Sequence, residues 1–223
     1  MRKKYYTLIL ALFFCSVFGQ LKLEFKLLNS IADITIYNTS KENYILPIDR
    51  FHLRPYETDC STFANYESEF PSFGLMVNIF TSDGKRENYV MGYKHFDNFD
   101  SIGKKVNFKR DSFRKKILKW GEKNKIKDYN EALINYNLIN NLIYLKPNEK
   151  ISFKIKFDLY NITNQELIFY NYILEKSLEY KISLSMCEFN GIDKYFTVAQ
   201  KKKLKKYKLF SGEILSNKVE LIQ

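Results

Sequence analysis

The segment Ile-Ser-Phe-Lys-Ile-Lys-Phe-Asp-Leu, residues 151–159, decides the fold class, because apolar and polar side chains alternate along its whole length. A period of two places the apolar set on one face of a β-strand and the polar set on the other. Residues 178–187 repeat the pattern, and parity places Cys187 on the polar side. Both segments are predicted to be strands with one face in the core and one in solvent.

Segments near both ends of the chain also show strand patterns. Residues 21–27 alternate between apolar and charged side chains, residues 31–37 predict a second strand, and residues 213–223 predict a C-terminal one. Residues 44–48 predict a further strand. Pro47 favours an edge or a bulge for it, because proline lacks the N–H that a central strand donates.

A hairpin is predicted in the N-terminal half. The nearly continuous apolar run at residues 73–81 is followed by Asp83-Gly84 and then by residues 89–93. An Asp-Gly pair between two such runs favours a tight turn. The first strand is expected at the centre of its sheet, because a run without alternation indicates burial on both faces.

Residues 104–141 interrupt the strand pattern with apolar spacings of three and four, which predict a helical insertion. Asp111 is expected to cap the first helix and Gly121 to end it. The predicted apolar faces are Phe113, Ile117 and Trp120 in the first helix, and Tyr129, Leu133, Tyr136 and Ile139 or Asn140 in the second. Residues 20–223 are therefore predicted to be a single all-β domain with a helical insertion.

Residues Met1 to Gly19 predict a secretory signal peptide. Three basic residues precede the apolar run Thr7 to Phe18, and the small residue Gly19 allows cleavage before Gln20. The run is too short for a membrane-spanning helix, which needs about 20 apolar residues, and no later segment reaches that length. The protein is expected to be exported, to the periplasm or beyond. Cys15 could be a lipidation site, but Phe14 stands where a lipidation motif has a small residue.

The excess of basic over acidic residues is weaker evidence for an anionic partner than the size of the net charge indicates. The 223 residues contain 36 Lys and Arg against 25 Asp and Glu; removal of the leader leaves 33 and a net charge of +8. Of the 36, 30 are Lys and 6 are Arg. Arginine supplies the bidentate fork that recognises phosphate and guanine, whereas lysine is a hydrated point charge. Nucleic acid is therefore not the expected partner.

Two basic clusters are candidate sites for an anionic polymer or a lipid headgroup. The first lies on the polar side of the first predicted helix: Arg110, Arg114, Lys115, Lys116 and Lys119. The second is expected in a loop between two strands, beside Tyr207: Lys201, Lys202, Lys203, Lys205, Lys206 and Lys208. The alternative for both is a solvated surface with no ligand.

The cysteines allow two interpretations. Cys60 and Cys187 remain after the leader and could form a disulfide in an oxidising compartment, or stay unpaired. A thiol hydrolase could instead use Cys60 with His52 or His95, oriented by Asp59 or Asp97. These are the only histidines, and the motifs typical of zinc sites, serine hydrolases and phosphate-binding loops are absent, so no metal or cofactor is expected.

Two motifs carry a family resemblance. They are Leu145-Lys146-Pro147-Asn148-Glu149, which precedes a strand, and the ending Ser211-Gly212-Glu213-Ile214-Leu215-Ser216-Asn217-Lys218-Val219-Glu220-Leu221. The chain resembles secreted immunoglobulin-like β-sandwich proteins of low-GC, Bacteroidota-type Gram-negative bacteria, with Asn148 in place of the usual glycine. The resemblance implies an antiparallel immunoglobulin-like β-sandwich and transfers no catalytic residue. The function expected is an exported, non-catalytic binding protein of the cell envelope, whose partner is an unknown protein or envelope component.

Overall fold

The computed structural model describes residues 20–57, 72–94, 99–165, 168–188 and 191–221. The molecule is mainly β, with 42% strand and 27% helix, and several of its sheets are antiparallel. The fold class predicted from the alternating segments is confirmed at this level.

The strands are β1 (Leu21–Leu28), β2 (Ile31–Asn38), β3 (Tyr44–Pro47), β4 (Asp49–Pro55), β5 (Gly74–Thr81), β6 (Tyr89–Tyr93), β7 (Leu142–Leu145), β8 (Lys150–Lys156), β9 (Ile168–Tyr172), β10 (Tyr180–Glu188), β11 (Lys208–Leu209), β12 (Gly212–Leu215) and β13 (Val219–Leu221). The helices are α1 (Phe99–Asn124), α2 (Tyr129–Asn141), a 3-10 turn (Ile192–Tyr195) and α3 (Val198–Leu204).

Two sheets enclose the main hydrophobic core. One is antiparallel with strand order β1-β2-β8, and the other has the order β12-β10-β5-β4, with β13 also paired to β10. The apolar side chains that the alternation assigns to one face are buried together, as Phe25 and Ile34 of the first sheet and Ile182 and Leu184 of the second show. Strand β4 runs parallel to β5, so this sheet is not purely antiparallel.

The C-terminal Ser-Asn pair ties the two sheets together. Asn217 donates its amide Nδ2 to the carbonyl of Phe25 and accepts the N–H of Phe25 on Oδ1, both at 2.9 Å. The neighbouring Ser216 accepts the N–H of Leu184 on its hydroxyl at 2.8 Å and donates its own N–H to the Leu184 carbonyl. These two side chains satisfy backbone groups of β1 and β10 at the point where β12 has ended and β13 has not begun.

A third sheet, of order β11-β3-β7, links the main core to the helices. Tyr44 and Leu145 of this sheet belong to the main core. Leu142 and Leu209 pack instead against a second cluster formed by Phe73, Leu138, Ile192 and Phe196. Strands β6 and β9 form a separate two-stranded sheet.

Two strand predictions are wrong. Pro47 does not mark an edge strand, because β3 pairs with β7 on one side and with β11 on the other. Strand β11 reaches only Tyr44 and Ile45, so Pro47 lies beyond that pairing and its missing N–H costs nothing there. The Asp83-Gly84 turn forms, but its return segment makes a single bridge from Arg86 to Phe80 before β6 leaves to pair with β9.

The polar side of β10 is not solvated as expected. Ser183 and Ser185 are buried, and Ser185 lies within a hydrogen bond of 2.9 Å of the buried amide of Asn78 on β5. A pattern of apolar and polar residues assigns serine and asparagine to the solvent-facing side. Small polar groups are nevertheless compatible with burial when they are hydrogen-bonded. The prediction that β5 is central is confirmed, since it lies between β10 and β4.

The helical insertion is present but its boundaries differ from 104–141. Helix α1 starts at Phe99 and runs through Asp111, so that residue does not cap it. Gly121 does not end it either. A Cβ at that position would lie 2.9 Å from the carbonyl oxygen of Ile126, so the glycine lets the following chain approach α1 closely.

Asn148 and Glu149 shape the turn between β7 and β8. Asn148 adopts a φ of 62°, in the left-handed region that asparagine tolerates better than most residues. The Lys146 N–H donates to the Glu149 carboxylate at 2.7 Å, which closes the turn from its other end.

Candidate anion-binding surface

The lysine run lies on a helix and its flank rather than in a loop. Thr197 caps α3: its hydroxyl accepts the Gln200 N–H, and the Gln200 side chain accepts the Thr197 N–H. This reciprocal capping box satisfies two N–H groups that a helix start leaves open. The Thr-x-x-Gln spacing at residues 197–200 is typical of a helix start and is visible in the sequence. The prediction of a loop did not take it into account.

A network of side-chain amides fixes α3 to the other helices. Asn135 of α2 is fully buried. Its Oδ1 accepts the indole N–H of Trp120 on α1 at 2.8 Å, and its Nδ2 donates to Gln200 Oε1 at 2.7 Å and to the Tyr195 carbonyl at 2.6 Å. Gln200 Nε2 donates back to Asn135 Oδ1 at 3.1 Å, so the two amides pair reciprocally.

Asn135 was not among the residues predicted on the inner face of α2. The buried positions of this helix are Ala132, Asn135 and Leu138, whereas the predicted residues Leu133 and Tyr136 are only partly buried. The face is displaced by one residue, because a buried asparagine does not count as apolar in a hydropathy pattern.

The lysines of the run have few carboxylate partners. Lys201 lies 3.4 Å from Asp193 in the 3-10 turn. Within the described ranges, the ion pairs include no carboxylate for the remaining five: Lys202, Lys203, Lys205, Lys206 and Lys208. Several positive charges in the short segment 201–208 therefore face solvent.

One tyrosine lies within this segment and a second lies beside it. The rings of Tyr144 on β7 and Tyr207 meet edge to face, with centroids 5.1 Å apart. Tyr144 is half exposed. Partial burial and the neighbouring Tyr207 raise the pKa of the Tyr144 phenol, so the ring is neutral at physiological pH. The Lys206 Nζ lies 5.6 Å from the Tyr207 ring, and the Lys208 Nζ 5.8 Å from the Tyr44 ring.

The outer face of the first sheet shows a different pattern. Lys22 lies 2.7 Å from Glu24, and Lys154 lies 3.8 Å from Asp33. The hydrogen bond from Lys22 is the main cause that lowers the pKa of the Glu24 carboxyl, followed by one from Tyr37. Carboxylates thus lie among the lysines of this sheet, which also include Lys26, Lys150 and Lys156, whereas the lysine run contains no acidic residue.

The cluster predicted on α1 is not brought together. Arg114 lies over the Tyr129 ring at 5.7 Å and Lys116 over the Tyr136 ring at 4.9 Å, both against α2. Arg110 donates to Asn107 one turn earlier. Lys115 and Lys119 are four residues apart and therefore share a face, which helix geometry places away from Ile117 and α2. The five side chains therefore lie on more than one side of α1, and their role in binding an anion stays a prediction.

The residues of the thiol hydrolase hypothesis are only partly described. Cys187 is disulfide-bonded and therefore is not a free thiol. Its pairing with Cys60 stays a prediction, because Cys60 lies outside the described residues, as do Asp59, His95 and Asp97. His52 is about half exposed on an irregular part of β4, and its Nδ1 lies 2.9 Å from the Asp49 carboxylate.

Two clefts lie away from the lysine run. One of about 660 Å³ opens at the end of the first sheet, beside Leu28, Phe157, Asp158, Tyr160 and Glu220. The other, of about 420 Å³, lies between α1 and the start of α2. The described residues contain no group of three or more His, Cys, Asp or Glu placed to hold a metal ion.

No family model, curated protein or solved structure matches this chain. Across the described ranges, none of the helices has the length and apolar character needed to cross a bilayer.

Replacing Asn135 with alanine is expected to lower the free energy of unfolding by more than about 2 kcal/mol, because each buried polar group left without a partner costs about 1–3 kcal/mol. Trp120, Tyr195 and Gln200 all lose a partner. Urea unfolding, followed by Trp120 fluorescence and circular dichroism, measures the change. Asn140→Ala on the exposed side of α2 is the control, expected to shift stability by less than about 0.5 kcal/mol. Equal effects of the two substitutions would contradict the role given to the network.

His52 gives a pH-dependent contribution of known sign. The hydrogen bond to Asp49 is the main cause that raises the pKa of His52, so the charged imidazole is favoured in the folded state. The stabilisation is fully present below about pH 6.5, the unfolded value, and is lost as the pH rises through the folded pKa. Imidazole NMR titration should give a midpoint above 6.5 that Asp49→Asn lowers and Asp33→Asn leaves unchanged. A midpoint unaffected by Asp49→Asn would refute this assignment.

Proposed function

We propose that the protein is an exported, non-catalytic binding protein of the cell envelope that holds an anionic polymer on the lysine-rich segment 201–208. In this proposal the main fold is an immunoglobulin-like β-sandwich, and it acts as a rigid support for the helices. The mainly-β architecture and the hydrophobic core shared by two sheets are consistent with a rigid scaffold of this kind. A leader cleaved before Gln20 is part of the same proposal, and β1 begins one residue later, at Leu21.

The observation that carries the proposal is a run of six lysines, with no acidic residue among them, on a fixed backbone. On the first sheet, Lys22 and Lys154 lie beside Glu24 and Asp33, and these carboxylates reduce the positive field of the sheet's lysines. On α3 and its flank, five of six lysines have no carboxylate among the described ion pairs. The backbone under them is fixed by the capping box and by the Asn135 to Gln200 amide pair. A fixed array of one sign attracts a polyanion and loses little order on binding it.

Retention on immobilised heparin tests the lysine segment. Lys202→Gln, Lys203→Gln and Lys205→Gln combined should lower the elution salt concentration. They should also reduce the slope of log affinity against log salt by about 2, because each lost polyanion contact removes about 0.7 of a released counterion. The slope is measured by titration at several salt concentrations. Tyr207 and Lys206 are left intact.

The matched control removes the same three charges from paired lysines. Lys22→Gln, Lys154→Gln and Lys181→Gln eliminate the partners of Glu24, Asp33 and Glu220 and leave α3 untouched. The net charge of the two variants is identical. We expect the control to retain most of the wild-type affinity. Equal loss in both variants would mean that only net charge matters, and the proposal of a site at 201–208 would fail.

Export is tested separately by the N-terminus of the protein recovered from its host. Mass spectrometry of the envelope and medium fractions should find an N-terminal peptide that starts at Gln20. Cys15→Ser should leave both the cleavage and the location unchanged. A mature chain that instead starts at an acylated Cys15 would replace the secreted form with a membrane-anchored one.

A further inference from the structure

The tyrosine pair beside the lysines narrows the class of polyanion. Tyr144 is 50% exposed, although it lies on β7 in a three-stranded sheet where its neighbours in sequence, Ile143 and Leu145, are buried. Its backbone is fixed by pairing with Ile45 on β3. The strand thus holds a large aromatic ring at the surface, where it offers apolar area to a ligand. Because the backbone is already ordered, it loses little further conformational freedom when a ligand binds.

Tyr207 is held next to it by local backbone contacts. Its N–H donates to the Leu204 carbonyl at 2.8 Å, which closes the turn after α3. The following residue, Lys208, pairs with Tyr44 as the start of β11. Tyr207 therefore stands between the end of the helix and a strand. Its ring meets Tyr144 at an interplanar angle of 72°, so the two rings form an angled aromatic surface rather than a stack.

Polar groups surround the two rings. Lys206 lies over Tyr207, and the Asn43 side chain donates to the Lys206 carbonyl at 3.3 Å, fixing the backbone at the lysine. Asn43 is itself partly exposed. The surface thus combines aromatic area, cations and an amide, and the segment 201–208 contains no arginine.

We propose that Tyr144 and Tyr207, with Lys206 and Lys208, form a subsite for the sugar rings of an acidic polysaccharide. The axial C–H groups of a pyranose ring pack on an aromatic face, and its carboxylate or sulfate lies next to a lysine. A polyphosphate has charge and no ring, so it uses only the lysines. A single-stranded nucleic acid has bases that stack on tyrosine. The segment lacks the arginine whose fork reads guanine and whose cation–π contacts recur in single-strand sites, which favours the sugar polymer over a nucleic acid.

The inference rests on the proposed function, and the experiment separates the two. Affinities of the folded protein for heparin, polyphosphate and an oligo-dT strand are measured by fluorescence anisotropy at one fixed salt concentration. Tyr144→Ala should weaken heparin binding about tenfold, in the range that loss of one stacking contact produces, and change polyphosphate binding by less than about twofold. Tyr144→Phe keeps the ring and should restore heparin binding.

A tyrosine elsewhere on the surface supplies the control. Tyr160 is 77% exposed in the segment after β8, and Tyr160→Ala should leave all three affinities unchanged. Circular dichroism confirms that each variant is folded. If Tyr144→Ala weakens heparin and polyphosphate equally, or has no effect, the sugar subsite is wrong while a lysine site stands. If oligo-dT binding is tighter than heparin binding and more sensitive to Tyr144→Ala, a nucleic acid replaces the polysaccharide. If the wild-type protein binds none of the three, both proposals fail.

Discussion

The buried amide of Asn135 is the constraint on which the helical part of the molecule depends. It joins α1 through Trp120, the 3-10 turn through the Tyr195 carbonyl, and α3 through Gln200. Desolvation of an amide is unfavourable unless its donors and acceptor are satisfied, and here both Nδ2 hydrogens and Oδ1 have partners. The amide pair adds a directional constraint to the apolar packing, because its two hydrogen bonds hold Asn135 and Gln200 side by side. The position of α3 therefore follows from a polar contact in an apolar surrounding.

That constraint explains how a short, highly charged helix is maintained. Lys201 and Lys205 are four residues apart, and like charges at that spacing oppose helix formation by about 0.2–0.5 kcal/mol. A helix of seven residues is not stable alone in water. The capping box, the amide pair and the Asp193 carboxylate beside Lys201 offset these costs. The three lysines in the last turn also interact favourably with the negative end of the helix dipole.

Much of the β-structure could be predicted from alternation, since strands β1, β2, β8 and β10 follow a period that depends on local sequence alone. The errors arose where a polar residue is buried or a partner is distant in sequence. Ser183 and Ser185 look solvated because their burial depends on what covers the far face of the sheet. The lysines of the site were predicted from their clustering in the sequence, but Tyr144 was not predicted. It is 63 residues from Tyr207, and only the pairing of β3 with β7 and β11 brings the two rings together.

At several points where regular backbone pairing stops, side-chain amides form hydrogen bonds with the backbone groups. The same interaction recurs in this asparagine-rich chain. Asn217 pairs with both backbone groups of Phe25, and Asn38 donates to the carbonyls of Glu42 and Leu145 where β2 ends. An asparagine side chain has the same donor and acceptor as a peptide group, so it can continue a ladder that the backbone has left. Asn38 and Asn217 hold the sheets in this way, and Asn135 extends the same chemistry to the helices. The lysine surface is thus connected to the main core through α2 and the sheet formed by β11, β3 and β7, so a polymer held there would be anchored to the rigid part of the protein.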